Sequence, residues 1–272
     1  MTEPFTCQTI RWASDLHLDH ADDAARARFL GSLAGADVPL LLTGDTSVAP
    51  RLVADLTAIL AATAGPVWAV LGNHDHYGSS IAAVRDSVIA LADREPRFRW
   101  LPPAGVISLA PDWALVGVDG WADGRQGSPL TTPVRLNDDR LIAELAAQPG
   151  RRGRLAVKQA LADADAARLA TLLDRAAAVA SHLLVATHVP PFVAALPATG
   201  RLASPDWLPL LVCEATGQAL RQAAERYPEH DFLVLTGHSH AAQATQVAAN
   251  LRCIVAGARY GEPEWRSVPR QR

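Results

Sequence analysis

The stretch Ser14 to His20, SDLHLDH, sets four metal-capable side chains close together: Asp15, His17, Asp19 and His20. Carboxylates and imidazoles at this density hold divalent cations, and a cation held beside water hydrolyses esters. Two metal readings are open. Asp15 and His17 can be the first ligands of a site completed elsewhere in the chain. Alternatively, Asp15-x-His17-x-Asp19-His20 can be a ligand string in its own right. A third reading needs no metal: the polar residues of a strand end face water.

Residues of the same types recur along the chain, as Gly44-Asp45, Gly72-Asn73-His74-Asp75, His188 and Gly237-His238-Ser239-His240. Each ends an apolar run with strand character: TIRWAS before Asp15, VPLLLT before Gly44, PVWAVL before Gly72, HLLVAT before His188 and DFLVLT before Gly237. Between the first three lie helical patterns. DDAARARFLGSLAGA has Asp22 and Asp23 at its N-terminal turn. PRLVADLTAILAATAG has Pro50 near its start and Gly65 at its stop, and a third helix runs from about Ser79 to Asp93. The β-α-β-α-β-α order implies a largely parallel sheet covered by helices. Parallel strands bring their C-terminal ends to one edge, so all five polar segments are expected to converge there. The glycines before Asp45, Asn73 and His238 are expected to let the backbone turn sharply as each strand ends.

The middle of the chain changes character. GVISLAPDWALVGVDG reads as two strands joined by a turn at Ala110-Pro111-Asp112. LNDDRLIAELAAQ is helical, and so is the long alanine-rich Lys158 to Ala180, with a basic loop, PGRRGR, between them. VCEATGQALRQAAERY is a further helix, and TQVAAN with RCIVAGARYG forms a closing antiparallel pair. No linker divides the chain. The 272 residues read as a single domain spanning 1–272, with Pro/Gly-punctuated insertions at 121–153 and 189–212.

Composition narrows the function classes. A hydrophobic content of 49% supplies a sizeable core, and 25 basic against 28 acidic residues leave a net charge of −3. That balance does not advertise a nucleic-acid-binding surface. Three cysteines, Cys7, Cys213 and Cys253, are widely spaced and form no C-x-x-C pair, which suits reduced thiols in a cytoplasmic protein. MTEPFTCQTIRW shows no signal-peptide pattern, and no apolar run is long enough to cross a membrane. Abundant alanine and arginine hint at a GC-rich bacterial genome.

In order and spacing, D-x-H at Asp15, G-D at Asp45, G-N-H-D at Asn73, the single His188 and G-H-x-H at His238 resemble the calcineurin-like metallophosphoesterase family, its bacterial phosphohydrolase branch included. The resemblance implies a four-layer α/β/β/α sandwich and metal-dependent hydrolysis of a phosphate mono- or diester by a hydroxide that two metals activate. It assigns Asp15, His17 and His240 to one metal and Asn73, His188 and His238 to the other, with Asp45 bridging. His74 then contacts the phosphate or protonates the leaving oxygen, and Asp75 orients His74. The mixed oxygen and nitrogen donors suit two divalent ions, with Mn²⁺ chosen over Fe or Zn²⁺. The expected partner is a small phosphorylated substrate.

The local-string reading, a variant of the H-x-H-x-D-H motif of metallo-β-lactamase-like hydrolases, has no use for G-N-H-D or G-H-x-H. Asp19 and His20 are then a helix-capping residue and a surface histidine, or His20 lies near the substrate. A nuclease of the same family would show a basic strip, and a non-catalytic scaffold on this fold would lack ligands that are present here. The related lipid-precursor pyrophosphatases usually carry Arg where His74 stands. Trp12 and Trp68 read as core; Asp119, Trp121 and Arg125 as a packed loop or as facing the substrate; His76 and Tyr77 as loop packing or a pocket wall; His182 and His230 as surface or satisfied core residues. Arg151–Arg154 reads as a solvated loop, with a lid over an anionic substrate as the alternative. Thr46-Ser47 stands where the family often has an apolar residue.

Overall fold

The computed structural model describes residues 9–35 and 37–268. The expectations for Cys7 and the N-terminal stretch fall outside them. The first half alternates strand and helix: β1 (Arg11–Ala13), α1 (Asp23–Leu33), β2 (Leu40–Thr43), α2 (Ala49–Ala62), β3 (Val67–Val70), α3 (Ile81–Arg94) and β4 (Phe98–Trp100). Strands β1 to β4 pair in parallel in sequence order, so each helix is a crossover that must lie on a sheet face. Asp22 caps α1 by accepting from the Ala25 N–H at 2.7 Å, and Ser80 caps α3 through Ala83 N–H. The capping role weighed for Asp19 thus belongs to Asp22; Asp19 instead lies 3.3 Å from the His20 ring.

A short helix α4 (Leu101–Ala104) leads to a second sheet. It holds β5 (Ile107–Ala110), β6 (Trp113–Gly117), β7 (His182–Ala186), β8 (Asp231–Thr236), β9 (Gln243–Ala248) and β10 (Leu251–Val255) in the order β5-β6-β7-β8-β10-β9. Its centre, β6-β7-β8-β10, is parallel. The closing pair β9 and β10 is antiparallel as the sequence indicates, and β10 slots between β9 and β8. Between β6 and β7 lie two short helices, α5 (Asp138–Leu141) and α6 (Ala143–Ala146), and the long α7 (Arg151–Ala177). Then α8 (Leu208–Leu211) and α9 (Glu214–Arg226) precede β8. A two-residue strand, β11 (Arg266–Ser267), pairs antiparallel with β1 on the first sheet.

Three apolar layers separate four layers of elements. Leu52, Leu56 and Ile59 of α2 and Val84, Val88 and Leu91 of α3 pack on one face of the first sheet. Trp12, Leu41, Trp68 and Val70 on its other face meet Leu115, Leu184, Leu233 and Leu235 of the second sheet. Leu169, Leu172 and Leu173 of α7 with Leu220 and Ala223 of α9 cover the outer face of the second sheet. The alternation of β3 shows the logic: Val67 and Ala69 face the helices, Trp68 and Val70 the opposite sheet. Each such leucine, buried from water, contributes about 2 kcal/mol. The α/β/β/α architecture follows, with the C-terminal ends of β1, β2, β3, β7 and β8 at one edge.

Two local expectations change. Arg151–Arg154 is the first turn of α7, not a loop, so the helix runs 27 residues where the sequence reading began it at Lys158. Strand β4 was not anticipated, because three residues are too few to show a period.

Candidate metal centre

Five loops at that edge bring the expected residues together. His240 Nε2 lies 3.3 Å from Asp15 Oδ1 and 3.0 Å from His17 Nε2. His188 Nε2 lies 3.3 Å from Asp45 Oδ2 and 3.1 Å from Asn73 Oδ1, and His238 Nδ1 is 3.0 Å from the same Asn73 oxygen. His17 Nε2 joins the two groups at 3.9 Å from Asp45 Oδ2. Asp15, His17 and His240 form one set able to hold a cation, and Asp45, His188 and His238 another, with Asp45 between. His17, Asp45 and His74 form a third overlapping set, so His74 stands at the centre rather than beside it.

The backbone is unusual at these residues. Asp15, His17, Asp45, His238 and His240 have φ of 52°, 42°, 53°, 67° and 57°, in the left-handed region that non-glycine residues rarely enter. Asp112 is the sole other such residue among the described ones. Each costs about 1–3 kcal/mol and persists where the surroundings over-determine it, as functional sites do. The glycines explain only part of the turning. Gly44 is left-handed, but Gly72 and Gly237 are not. Their role is room: a Cβ on Gly72 would fall on the Asp45 carboxylate, and one on Gly237 on Asp15 and Ser14.

Outer contacts fix which nitrogen of each ring faces inward. His238 Nε2 donates to the Leu210 carbonyl at 2.8 Å, and His188 Nδ1 to the Thr43 carbonyl at 2.9 Å. Asn73 Nδ2 donates to Asp138 Oδ1 at 2.8 Å and to Tyr77 Oη at 3.1 Å, which turns Asn73 Oδ1 toward the histidines. Burial and the neighbouring His188 lower His238 to about 4, so its ring is neutral and its Nδ1 lone pair faces the Asn73 oxygen. Two acceptors 3.0 Å apart repel unless a cation lies between them. Burial, with His74 alongside, also takes His17 to about 4 despite Asp45, and its buried Nδ1 has no partner among the described residues. His188 is the reverse: against burial, Asp45 raises it to about 10. Beside the Asp45 carboxylate, positive charge is favoured. The donors present therefore fit a pair of divalent cations.

Asp75 does not touch His74. Its carboxylate accepts from the backbone N–H of Gly72 (2.8 Å), Asp45 (2.9 Å) and Ser47 (3.1 Å), and burial with Asp45 nearby raises it to about 8. It ties the β2 loop to the β3 loop, a structural task in place of the expected orientation of His74. Asp75→Ala should lower the unfolding free energy by about 3 kcal/mol, by stranding three buried donors. Urea denaturation measures this. A variant of unchanged stability whose kcat collapses would return Asp75 to the chemistry.

His74 is held by its own backbone N–H to Asp45 Oδ1 (2.8 Å) and by stacking on Tyr77 at 4.2 Å between ring centroids. Tyr260 lies 4.5 Å from the ring of His17 and 4.7 Å from that of His20, which places His20 at the rim. Trp121 is packed, Asp119 accepts from Leu71 N–H and the Trp100 indole, and Arg125 pairs with Asp123 and Asp163. Ser47, the departure from the family pattern, donates to buried Asp55 at 2.6 Å, which also pairs with Arg26. His182 stacks on Trp113, and His230 bonds the Ala177 carbonyl. Tyr77, read as loop packing or a pocket wall, proves an outer partner of Asn73, whereas no motif points to Asp138 or Leu210; Asp138 reaches Asn73 across 65 residues of chain.

Residues 9–242 match the family model described as calcineurin-like phosphoesterase. No curated protein matches the chain. Among solved structures, the phosphopantetheinyl hydrolase of Mycobacterium tuberculosis is similar at 17% identity and TM-score 0.60, over 96% of this chain and 95% of that one. A dimetal phosphatase of Danio rerio is similar at 13% identity and TM-score 0.56, over 94% and 88%. At these identities the likeness is one of fold.

Proposed function

The chain belongs to the calcineurin-like phosphoesterase family, and from that premise we propose that it hydrolyses small phosphate mono- or diesters with two divalent ions. Asp15, His17 and His240 would hold the first ion and Asn73, His188 and His238 the second, with Asp45 placed to serve both. The observation that carries this is the inward convergence of lone pairs, above all His238 Nδ1 on Asn73 Oδ1 at 3.0 Å. When bound, the ions supply Lewis-acid activation of water and draw charge from the phosphate oxygens. His74, half-buried and anchored by Asp45 and Tyr77, contacts the phosphate or gives a proton to the leaving oxygen. Mn²⁺ is the proposed metal: the donors are oxygen and nitrogen, with no thiolate among them.

We read the chain as one domain whose insertions, 121–153 and 189–212, select the substrate, and as a cytoplasmic bacterial protein by composition. Among the described residues no helix is long and apolar enough to cross a membrane. Elemental analysis after reconstitution should give two ions per chain, and a chelator should abolish hydrolysis of nitrophenyl phosphate. One ion or fewer with full activity would sink the dinuclear assignment.

A further inference from the structure

The basic segment at the start of α7 acquires a setting in the fold. Arg151 and Arg154 from its first turn, Lys158 one turn on and Arg135 from the insertion line one pocket, together with Asp139 and Leu210. In a chain of net charge −3 this is a concentration of four cations. Two carboxylates answer them. Asp139 sits 3.2 Å from Arg154 Nε and 3.3 Å from Lys158 Nζ, and Asp138 is 3.5 Å from Lys158 Nζ. Asp138 is already shared with Tyr77 and Asn73. Arg151 spends one nitrogen on the carbonyls of Leu130 and Thr132. Arg135 is exposed and makes no ion pair among the described residues. Lys158 is buried, 7% exposed, so the floor of the pocket is a fixed ammonium rather than a waving surface chain.

The pocket adjoins the metal centre at two points. Leu210, in its wall, gives its carbonyl to His238 Nε2, and Lys158 reaches Asn73 through Asp138. Leu210 and Asp138 thus stand between the pocket and the metal-set residues His238 and Asn73. What the pocket recognises is anionic: it already holds the carboxylate of Asp139 by two contacts.

We propose that this pocket is a second anion subsite, and that the substrate carries, besides the ester cleaved, a second phosphate or carboxylate bound by Arg135, Arg151, Arg154 and Lys158. The proposal rests on the phosphoesterase reading for its first site. The selectivity it predicts is electrostatic, and its two sides have opposite signs. Removing a cation weakens binding of the second anion; removing the competing Asp139 charge strengthens it.

The test is equilibrium binding by calorimetry to the metal-loaded protein at fixed ionic strength. The probes are hexane-1,6-diylbisphosphonate and hexylphosphonate, whose P–C bonds prevent turnover, with shorter and longer spacers alongside. The bisphosphonate should bind about tenfold tighter than the monophosphonate. Arg135→Glu should reduce that ratio severalfold and Asp139→Asn should enlarge it. Equal affinity for both probes at every spacer length overturns the proposal, as does a ratio that neither substitution moves. Hydrolysis of hexyl phosphate is scored separately. A wild-type protein that prefers the bisphosphonate yet cleaves no ester supports the subsite and overturns the reaction.

Discussion

Asp45→Asn is expected to weaken both metal sets together and to lower phosphoesterase turnover on the order of 10⁴-fold, the scale of losing a two-cation clamp on the reacting phosphate. Asn is the informative replacement. Its Oδ1 can still accept from the His74 N–H, as Asp45 Oδ1 does at 2.8 Å, so the loop keeps its anchor. What changes is the atom facing His188 at 3.3 Å and His17 at 3.9 Å, where an amide NH₂ replaces a carboxylate oxygen and half the negative charge of the Asp15–Asp45 pair disappears. His240→Ala is the control. Among the described residues His240 Nε2 meets Asp15 and His17 and no ligand of the other set, so this variant should lose affinity at one set and keep the other. Metal content by elemental analysis and thermal unfolding of each variant separate metal loss from misfolding. An Asp45→Asn protein that binds two ions as tightly as its parent would remove the bridge from the proposal.

His74→Ala should lower kcat on the order of 10²–10³-fold, a few kcal/mol of transition-state stabilisation. Metal occupancy decides between two geometries. As a phosphate contact or proton donor, His74 leaves both ions in place when removed, and the loss is greater for an alkyl ester than for nitrophenyl phosphate, whose leaving group needs no proton. As a ligand, which its position with His17 and Asp45 also permits, it takes an ion with it. Parallel kinetics on the two substrates with metal analysis read the outcome directly. Retention of both ions and full activity on the alkyl ester would dismiss His74 from the mechanism.

Much of this site was legible in the chain. The five polar segments stand out because each interrupts an apolar run, and one-dimensional patterning records where a buried strand must stop. The parallel order of the first three strands was legible for the same reason: helices of 11 and 14 residues between short strands leave no other economical crossover. The glycine pattern was legible but its meaning was only half so. A sequence shows that Gly72 and Gly237 precede functional residues. It cannot show that the missing Cβ makes space for a carboxylate from another loop.

Roles that depend on direction were not legible. The family resemblance implies that Asp75 orients His74. The tight turn His74–His76 points the Asp75 carboxylate inward at backbone amides instead, while the His74 ring lies against Tyr77 and His17. Asp138 and Leu210 lie in insertions that match no motif, yet they set the orientation of Asn73 and the tautomer of His238. The left-handed backbone at five ligands left no trace in composition, because the conformation is imposed by packing against local preference. By itself the sequence determined the polar segments, their order and the edge where they meet, since these follow from hydrophobic periodicity and strand direction, and the family resemblance implies which of their residues would be ligands. The tertiary structure alone decided which atom of each ligand faces inward, what holds it there and where the four cations of the insertion gather, because those depend on contacts between residues far apart in the chain.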